Sequence, residues 1–435
     1  MSEWVDSTVG AVTLYQRAGG TPTATTDYFY GGDIPFVTIE DITNGTQFLD
    51  RTEKNLSEAG LANSAAWLIK EPHILYSMYA TVGKPIINRI ACATNQAIIA
   101  LKESSAIEQS FLFYQLLFIR PSVYKYTAQT TQSNLNAGSV KKLPISYPKD
   151  KREQRKIATI LAGIDSAIEK TETLISKYQQ IKAGLMHDLF TRGVLPNGQL
   201  RPSHEKAPEL YQETAIGWIP RGWEVTGLAA KGRPGTHWIR TGPFGSALKG
   251  EHWRTHGHPV ITIGALGEGV FTDDELLFVD SRDAARLVDF QLKARDIVFS
   301  RVADVGRSVV VRAEQAGWIM SSNLMRIAVD ENRARSDFIQ MVLASDSRIK
   351  VQIRARVNSG GRDVANSDVL NQLRFVWPDI EEQDRIIARV GIADCRITSE
   401  QLKRSNLLAQ KQGLMHDLLT GKVLSKIEEP EVIDG

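Results

Sequence analysis

One stretch of this chain occurs twice, and that repeat limits the possible folds more than any other feature. Residues 147–195 read YPKDKREQRKIATILAGIDSAIEKTETLISKYQQIKAGLMHDLFTRGVL, and residues 377–424 read WPDIEEQDRIIARVGIADCRITSEQLKRSNLLAQKQGLMHDLLTGKVL. Both open on aromatic-Pro and then reach Glu-Gln (Glu153-Gln154 and Glu382-Gln383). Both close on Gly-Leu-Met-His-Asp-Leu and then, one residue further on, a Thr. The register slips by one residue, in the loop after the Pro. A match held at both ends over this length is an internal repeat.

Each copy reads as a long helix. Pro148 and Pro378 turn the residue before them away from helical backbone, so the helix starts after them. Asp150 and Asp379 stand three residues before Glu153 and Glu382, the spacing of a capping box with Asp as the cap. Apolar positions then step by four and three: Ile157, Leu161, Ile164, Ile168, Thr171, Ile175, Tyr178, Leu185 and Leu189. The second copy keeps the frame with Ile386, Val390, Ala393, Ile397, Leu407, Leu414 and Leu418. This is a heptad seam, interrupted at matching places by Lys182 and Lys411. At 1.5 Å per residue each helix would be about 60 Å long. One such rod cannot bury its seam alone, but two in one chain can bury theirs against each other.

At 435 residues the chain is too long for one domain. The net charge of +2 gives no single-sign field. No apolar run is long enough to span a membrane, and the start of the chain lacks a basic-then-apolar secretory pattern. Cys92 and Cys395 are the only cysteines, with neither disulfide-framework nor zinc spacing, which fits a reducing cytoplasm.

The modules around the rods share a plan. Residues 1–146 carry β-rich runs (IPFVTI at 34–39, HILYSMYATVGKPIINRI at 73–90, NQAIIAL at 95–101) and a buried amphipathic helix at 110–118 ended by Pro121. Residues 147–190 are the first rod. Residues 191–217, rich in Pro and polar residues, form a connector. Residues 218–376 repeat the plan of the first module: HPVITIGAL echoes IPFVTIEDI, and DIVFSRVADVGRSVVV echoes HILYSMYATVGKPII with Gly306 on Gly83. Residues 377–420 are the second rod and 421–435 a tail. The expected fold class is α+β: two β-rich mixed α/β modules separated by two long antiparallel helices in a coiled coil, with a pseudo-twofold internal repeat.

Two similar frames carrying dissimilar heads suit a ruler that presents two readers to a long, regular polymer, and double-stranded DNA fits. Readers on one face of a duplex sit near one helical turn apart, about 34–36 Å, or a multiple of it. The second module holds 18 Arg and is basic by four charges, whereas the first is close to neutral. Arg240, Lys249, Arg254, Arg301, Arg307, Arg354, Arg356 and Arg362 fall in or beside expected loops, and Arg suits guanine edges and phosphates. The first module offers Lys84, Tyr124, Lys125, Tyr126, Gln129, Gln132 and Asn134, a set able to read adenine and phosphate. Solvated surface charge is the competing reading for each of them.

The aromatic-Pro/Glu-Gln/long-helix/GLMHDL unit, present twice, and the ETAIGWIPRGWEV opening of the second module resemble the specificity subunit of type I restriction–modification systems. The resemblance covers nearly the whole chain. It implies that the modules are target recognition domains, each reading half of a split asymmetric DNA site. It further implies that the helices are the spacer and the docking surface for two modification (methyltransferase) subunits, joined by restriction (translocase/nuclease) subunits. On the helices, Gln154, Leu185, His187, Gln383, Leu414 and His416 are the candidate docking residues. S-adenosylmethionine, ATP and Mg would belong to the partner subunits, and this chain would bind no cofactor or metal.

The sequence lacks motifs for catalysis of its own. It contains no Gly-rich S-adenosylmethionine loop joined to an Asn/Asp-Pro-Pro-aromatic motif and no GxxxxGK[ST] loop. Asp379 follows a Pro, as in some nucleases, but a helix cap explains it better. His187-Asp188 and His416-Asp417 sit at matching places without a nucleophile in the pattern. His252, His256 and His258 have metal-like spacing but no further ligand to complete a site, so a polar loop is expected. Cys92, in an apolar strand, is expected in the core. The chain is therefore expected to be non-catalytic. The alternative is a coiled-coil adaptor whose heads bind proteins, and steep salt dependence of binding would separate DNA recognition from it.

Overall fold

In the computed structural model, which describes residues 3–127, 134–267, 269–273, 275–357 and 364–423, each copy of the repeat is one unbroken helix, Lys151–Thr191 and Ile380–Leu419. Asp caps both. Asp150 Oδ1 accepts the Arg152 N–H at 2.8 Å, and Asp379 Oδ1 accepts the Glu382 N–H at 2.6 Å. The reciprocal half of the expected capping box is absent, because Glu153 and Glu382 turn inward and are 2% and 3% exposed.

The chain divides into two units, residues 1–173 with 401–435, and residues 174–400. The divisions fall inside the two long helices. Neither helix is therefore a spacer distinct from the modules, and each unit owns half of both.

In the first unit a five-stranded sheet runs in the order Thr13–Ala18, Ile98–Glu103, Ile74–Ser77, Pro85–Asn88, Phe48–Leu49. A three-stranded sheet pairs Tyr30–Val37 antiparallel with Lys54–Leu56 and parallel with Ala93–Thr94. Strand Trp4–Thr8 pairs antiparallel with Pro144–Pro148, which leads into the first long helix. The helix Gln109–Ile119 is buried continuously from Phe111 to Leu116, so it is a core helix rather than an amphipathic one. Ile157, Ala158 and Leu161 of one long helix and Leu418 and Leu419 of the other enter the same core. Full burial of a side chain such as Leu161 contributes about 1.5–3 kcal/mol.

The second unit repeats this plan. Its four-stranded sheet runs Ile239–Thr241, Leu324–Ile327, Ile297–Ser300, Ser308–Val310, and its three-stranded sheet runs Leu277–Val279, His258–Ile261, Ile319–Met320. Strand Glu224–Gly227 pairs with Arg374–Trp377 as Trp4–Thr8 does with Pro144–Pro148. The connector contains a hairpin, Tyr211–Thr214 with Gly217–Pro220. Met186, Leu189 and Phe190 of the first long helix and Ile386 and Val390 of the second share a core with Phe338, Phe375 and Trp377.

The sheet turn is the same in both units. The Gly83 N–H donates to Ser77 O at 2.9 Å, and the Gly306 N–H to Ser300 O at 3.2 Å. Ala80 and Ala303 take left-handed φ of 54° and 59°, and Gly83 and Gly306 take 78° and 106°. Two successive departures into that region need a glycine at the less tolerant one.

Within each unit the long helices run antiparallel. The first unit pairs Asp165 with Lys411 at 2.5 Å and Glu172 with Arg404 at 2.6 Å. The second pairs Lys182 with Asp394 at 2.5 Å. Lys182 and Lys411 hold matching places in the repeat, as do Asp165 and Asp394, so the lysines that interrupt the seam make the same ion pair with roles exchanged. The seam itself is less mutual than the heptad pattern suggested. Its terminal residues sink into the module cores, whereas Ile175, Tyr178 and Leu407 are half-buried and Ile181 and Ile392 are exposed.

Candidate nucleic-acid interface and helix junctions

The Glu-Gln pair shared by both repeats joins each long helix to its module. Gln154 Oε1 accepts the N–H of Glu108, the cap of helix Gln109–Ile119, at 2.7 Å, while its Nε2 donates to Pro148 O at 2.8 Å and Ala106 O at 3.1 Å. Gln383 Oε1 accepts the N–H of Arg335, the cap of helix Ser336–Ser345, at 2.8 Å, and its Nε2 donates to Pro378 O at 2.9 Å. Both glutamines are fully buried. They are internal clamps, and neither presents an atom for another subunit to dock on, contrary to the expectation for Gln154 and Gln383.

Glu382 organises the second unit's junction. Its carboxylate accepts the Val194 N–H at 2.8 Å, the Trp223 Nε1–H at 2.9 Å and the Arg201 guanidinium at 3.1 Å. The connector is thereby fastened across the start of the second long helix. Gly193, at φ +68°, lies so close that a Cβ there would stand 2.0 Å from Glu382 Oε1.

The other candidate docking residues separate by exposure. His187 and His416 face solvent, and His416 lies 6.4 Å from the Phe118 ring. Leu414 packs against the first unit's core. Leu185 packs against the second unit's core and also lines a groove of about 460 Å³ with Tyr178, Ile181, Arg389, Ile392 and Arg396.

Several candidate DNA contacts are committed inside their modules. Lys84 Nζ donates to Thr43 O and Gly45 O, both at 2.8 Å, and its pKa lies below the usual lysine value because it is half-buried and faces the Arg120 charge. Arg301 donates to Ala365 O and Ser322 O. Arg307 holds Asp304 Oδ2 at 2.7 Å and Leu266 O at 2.7 Å. Arg240 pairs with Asp289 and lies over the Phe290 ring, and Arg254 pairs with Asp280. These side chains staple loops, and Lys84, Arg301 and Arg307, expected to contact DNA, are held by partners within their own modules. Arg307→Ala is accordingly expected to lower stability by about 1–2 kcal/mol in chemical denaturation. It should weaken specific and random DNA equally; a loss confined to the specific duplex would restore Arg307 as a base reader.

Gln129, Gln132 and Arg362 lie outside the described residues. Lys125 and Lys249 are exposed and Asn134 is half-buried. Around the first unit's turn, Arg120 Nε donates to Val82 O and the Leu135 N–H to Met78 O. This brings the 3₁₀ segment Arg120–Tyr126 beside the turn, with Tyr79, Tyr124 and Tyr126 exposed by 40%, 55% and 37%. In the second unit the Ala365 N–H donates to Arg301 O in the same way, and the helix Ser347–Val357 takes the place of the 3₁₀ segment.

Lys350 and Arg354, one turn apart on that helix, are exposed and make no ion pair among the described residues. Sequence reasoning missed Lys350, though its i,i+4 spacing from Arg354 was a visible signal. It also missed Phe244, 89% exposed in the loop that leads to Lys249. Replacing Lys350 and Arg354 together by alanine is expected to weaken binding to all duplexes alike and to reduce the slope of log K against log salt by about 2. An unchanged slope would remove them from the interface.

The histidines do not share one loop: His252 ends the 3₁₀ turn Gly250–His252 and its Nδ1 accepts the Lys249 N–H, while His258 opens the strand His258–Ile261 and pairs with Ser281 Oγ. Cys92 is buried, which pushes its thiol up to about 12. No helix among the described residues is long and apolar enough to cross a membrane.

Residues 1–178 match the model of the type I restriction modification DNA specificity domain. Among curated proteins, the chain is 20% identical to the type I restriction enzyme MjaVIII specificity subunit of Methanocaldococcus jannaschii, over 98% of this chain and 94% of that one. It is 26% identical to the MjaIX specificity subunit of the same organism, an alignment that covers 48% of this chain and only 47% of the relative. Among solved structures, a type I restriction–modification S subunit from M. genitalium superimposes with a TM-score of 0.56 at 13% identity, over 98% of this chain and 97% of that one. A chain from a type I R-M system structure gives 0.58 at 14% identity, over 97% and 98%. At these identities the superpositions speak for the fold.

Proposed function

We infer, from the type I DNA specificity domain that residues 1–178 carry, that this chain is the DNA-recognition subunit of a type I restriction–modification complex. One observation supports the reading most. The module and its long-helix junction occur twice, with the same turn, the same glutamine clamp and the same Lys–Asp pair between helices. Duplicated frames with different reading surfaces suit a bipartite, asymmetric DNA site. In this reading each module reads one half-site, and the helices set the gap. The exposed face around Ile181 and Ile392, together with His187 and His416, docks two modification subunits. S-adenosylmethionine, ATP and Mg act on the partner subunits, and the chain itself performs no chemistry.

The purified chain is expected neither to methylate nor to cut DNA, with methylation appearing once a modification subunit and S-adenosylmethionine are added. Replacing residues 1–173, which keep Gln154 with its helix cap, by those of a relative should change one half of the methylated sequence and leave the other. Methylation profiling of cells with and without the gene reads both outcomes. Both halves changing together would refute independent reading, and activity of the chain alone would refute the non-catalytic assignment. Binding that ignores salt would favour the protein-binding adaptor instead.

A further inference from the structure

In the second unit the strand Ile239–Thr241 ends at a loop that holds one ring out in solvent. Thr241 pairs with Met325 and Ser300 with Leu324, so the loop after Thr241, the turn after Ser300 and the residues before Leu324 leave the sheet at the same end. The loop is fixed at its base. The Gly242 N–H donates to Leu324 O at 2.9 Å, and a Cβ on Gly242 would stand 1.9 Å from Ser321 O. Pro243 is buried and its ring locks its φ. The Ala247 N–H donates to Phe244 O at 2.8 Å, closing the 3₁₀ turn Gly245–Ala247. Between these anchors the Phe244 ring stands 89% exposed.

A single exposed apolar side chain is ordinary on a protein surface. Two further features set Phe244 apart. Gly245 beside it takes no left-handed φ, and a Cβ there would meet nothing within 4 Å. Neither strain nor crowding within the chain asks for glycine at that position, and bare backbone suits the close approach of a ligand. The surroundings are polar and basic. Asn323 is exposed at the same end of the sheet, where its carbonyl accepts the Arg301 N–H at 3.1 Å, and Lys249 is exposed five residues along the loop. A bare ring rimmed by an amide and a cation matches stacked bases edged by phosphates better than it matches an apolar protein surface.

The first unit keeps this frame and lacks the ring. The Gly19 N–H donates to Ile98 O at 3.3 Å, and a Cβ on Gly19 would stand 1.9 Å from Thr94 O. The residues that follow are Gly20, Thr21 and Pro22.

We propose that Phe244 is an apolar wedge that enters between two neighbouring base pairs of the half-site read by the second module. The proposal rests on the DNA-recognition reading above. A ring placed there exchanges base–base stacking for base–aromatic stacking and opens the step. Affinity then depends on how readily that step unstacks. The first module, without a ring, leaves its half-site stacked.

The test uses the full chain in complex with its modification subunit. The probes are duplexes carrying the sequence that methylation profiling identifies, each with the fluorescent base 2-aminopurine, bright only when unstacked, at one position. The wild-type complex brightens the probe at one step of one half-site, and Phe244→Ala does not. Phe244→Ala weakens binding about 5- to 100-fold, and Phe244→Trp restores both binding and brightening. The thermal midpoint and the salt dependence stay unchanged in Phe244→Ala, because an exposed ring supports no packing and releases no counterion. Wild-type binding without brightening at any step, or equal binding by Phe244→Ala, overturns the wedge and leaves half-site reading standing. If Phe244→Ala instead weakens assembly with the modification subunit, the ring is a protein contact and the wedge is again overturned. A wild-type complex that favours no sequence over random DNA brings down the recognition reading and the wedge with it.

Discussion

Glu382→Ala is expected to destabilise the second unit by about 3–5 kcal/mol, the range for removing one partner of a buried ion pair. The Arg201 side chain is 12% exposed and would be left charged and unpaired. The Val194 N–H and the Trp223 indole N–H would lose their acceptor in the same step. The connector from Val194 to Trp223 should then detach from the helix start. Urea denaturation reads the energy, and hydrogen exchange at the Val194 amide reads the detachment. A loss below about 1 kcal/mol would mean that the carboxylate contributes no more than a surface pair does.

Seven residues inserted at Thr173/Leu174, and seven more at Glu400/Gln401, are expected to shift the preferred gap between the half-sites by about three base pairs. Two turns add about 10 Å to each helix while keeping the seam in phase, and the duplex rises 3.4 Å per pair. The ion pairs Asp165–Lys411, Glu172–Arg404 and Lys182–Asp394 each lie wholly on one side of the insertion points, so all three can persist. A single insertion leaves the other helix short, and binding to every gap length should fall. Binding to duplexes that differ only in gap length reads the outcome. An optimum that does not move in the double insertion would show that the helices do not set the spacing. The added gap also rotates one half-site around the duplex, so the affinity recovered at the new optimum should be partial.

The frame was legible because it is written in local, repeated signals. Aromatic-Pro, an Asp cap, Glu-Gln and four-three apolar steps determine a helix from neighbours a few residues away. The paired turns at Gly83 and Gly306 were visible for the same reason, since only backbone demands keep a glycine fixed while its surroundings diverge. The Glu382 junction was not legible, because Arg201 and Trp223 reach it from 181 and 159 residues away. Nor could the sequence tell a loop arginine aimed at DNA from one that staples its own loop. Arg307 is held by Asp304 and by Leu266 O, whereas Arg354, on the helix Ser347–Val357, makes no ion pair among the described residues. The seam misled for a related reason: heptad spacing says which face is buried, not what covers it, and at Leu161 and Leu189 the cover is a module core.

The division of each long helix between the two units has a consequence for inheritance. A crossover between related genes that falls at the codons for Thr173/Leu174 or Glu400/Gln401 hands over a module with its own clamp, Gln154 with Glu108 or Gln383 with Arg335. A crossover at the edge of the module, near residue 147 or 377, instead parts the glutamine from the helix cap it was selected to fit. The repeated helix sequence also gives recombination matching tracts on either side of those mid-helix points. Gene exchange should then leave viable hybrids joined within the helices, each carrying one old and one new module on an undisturbed frame.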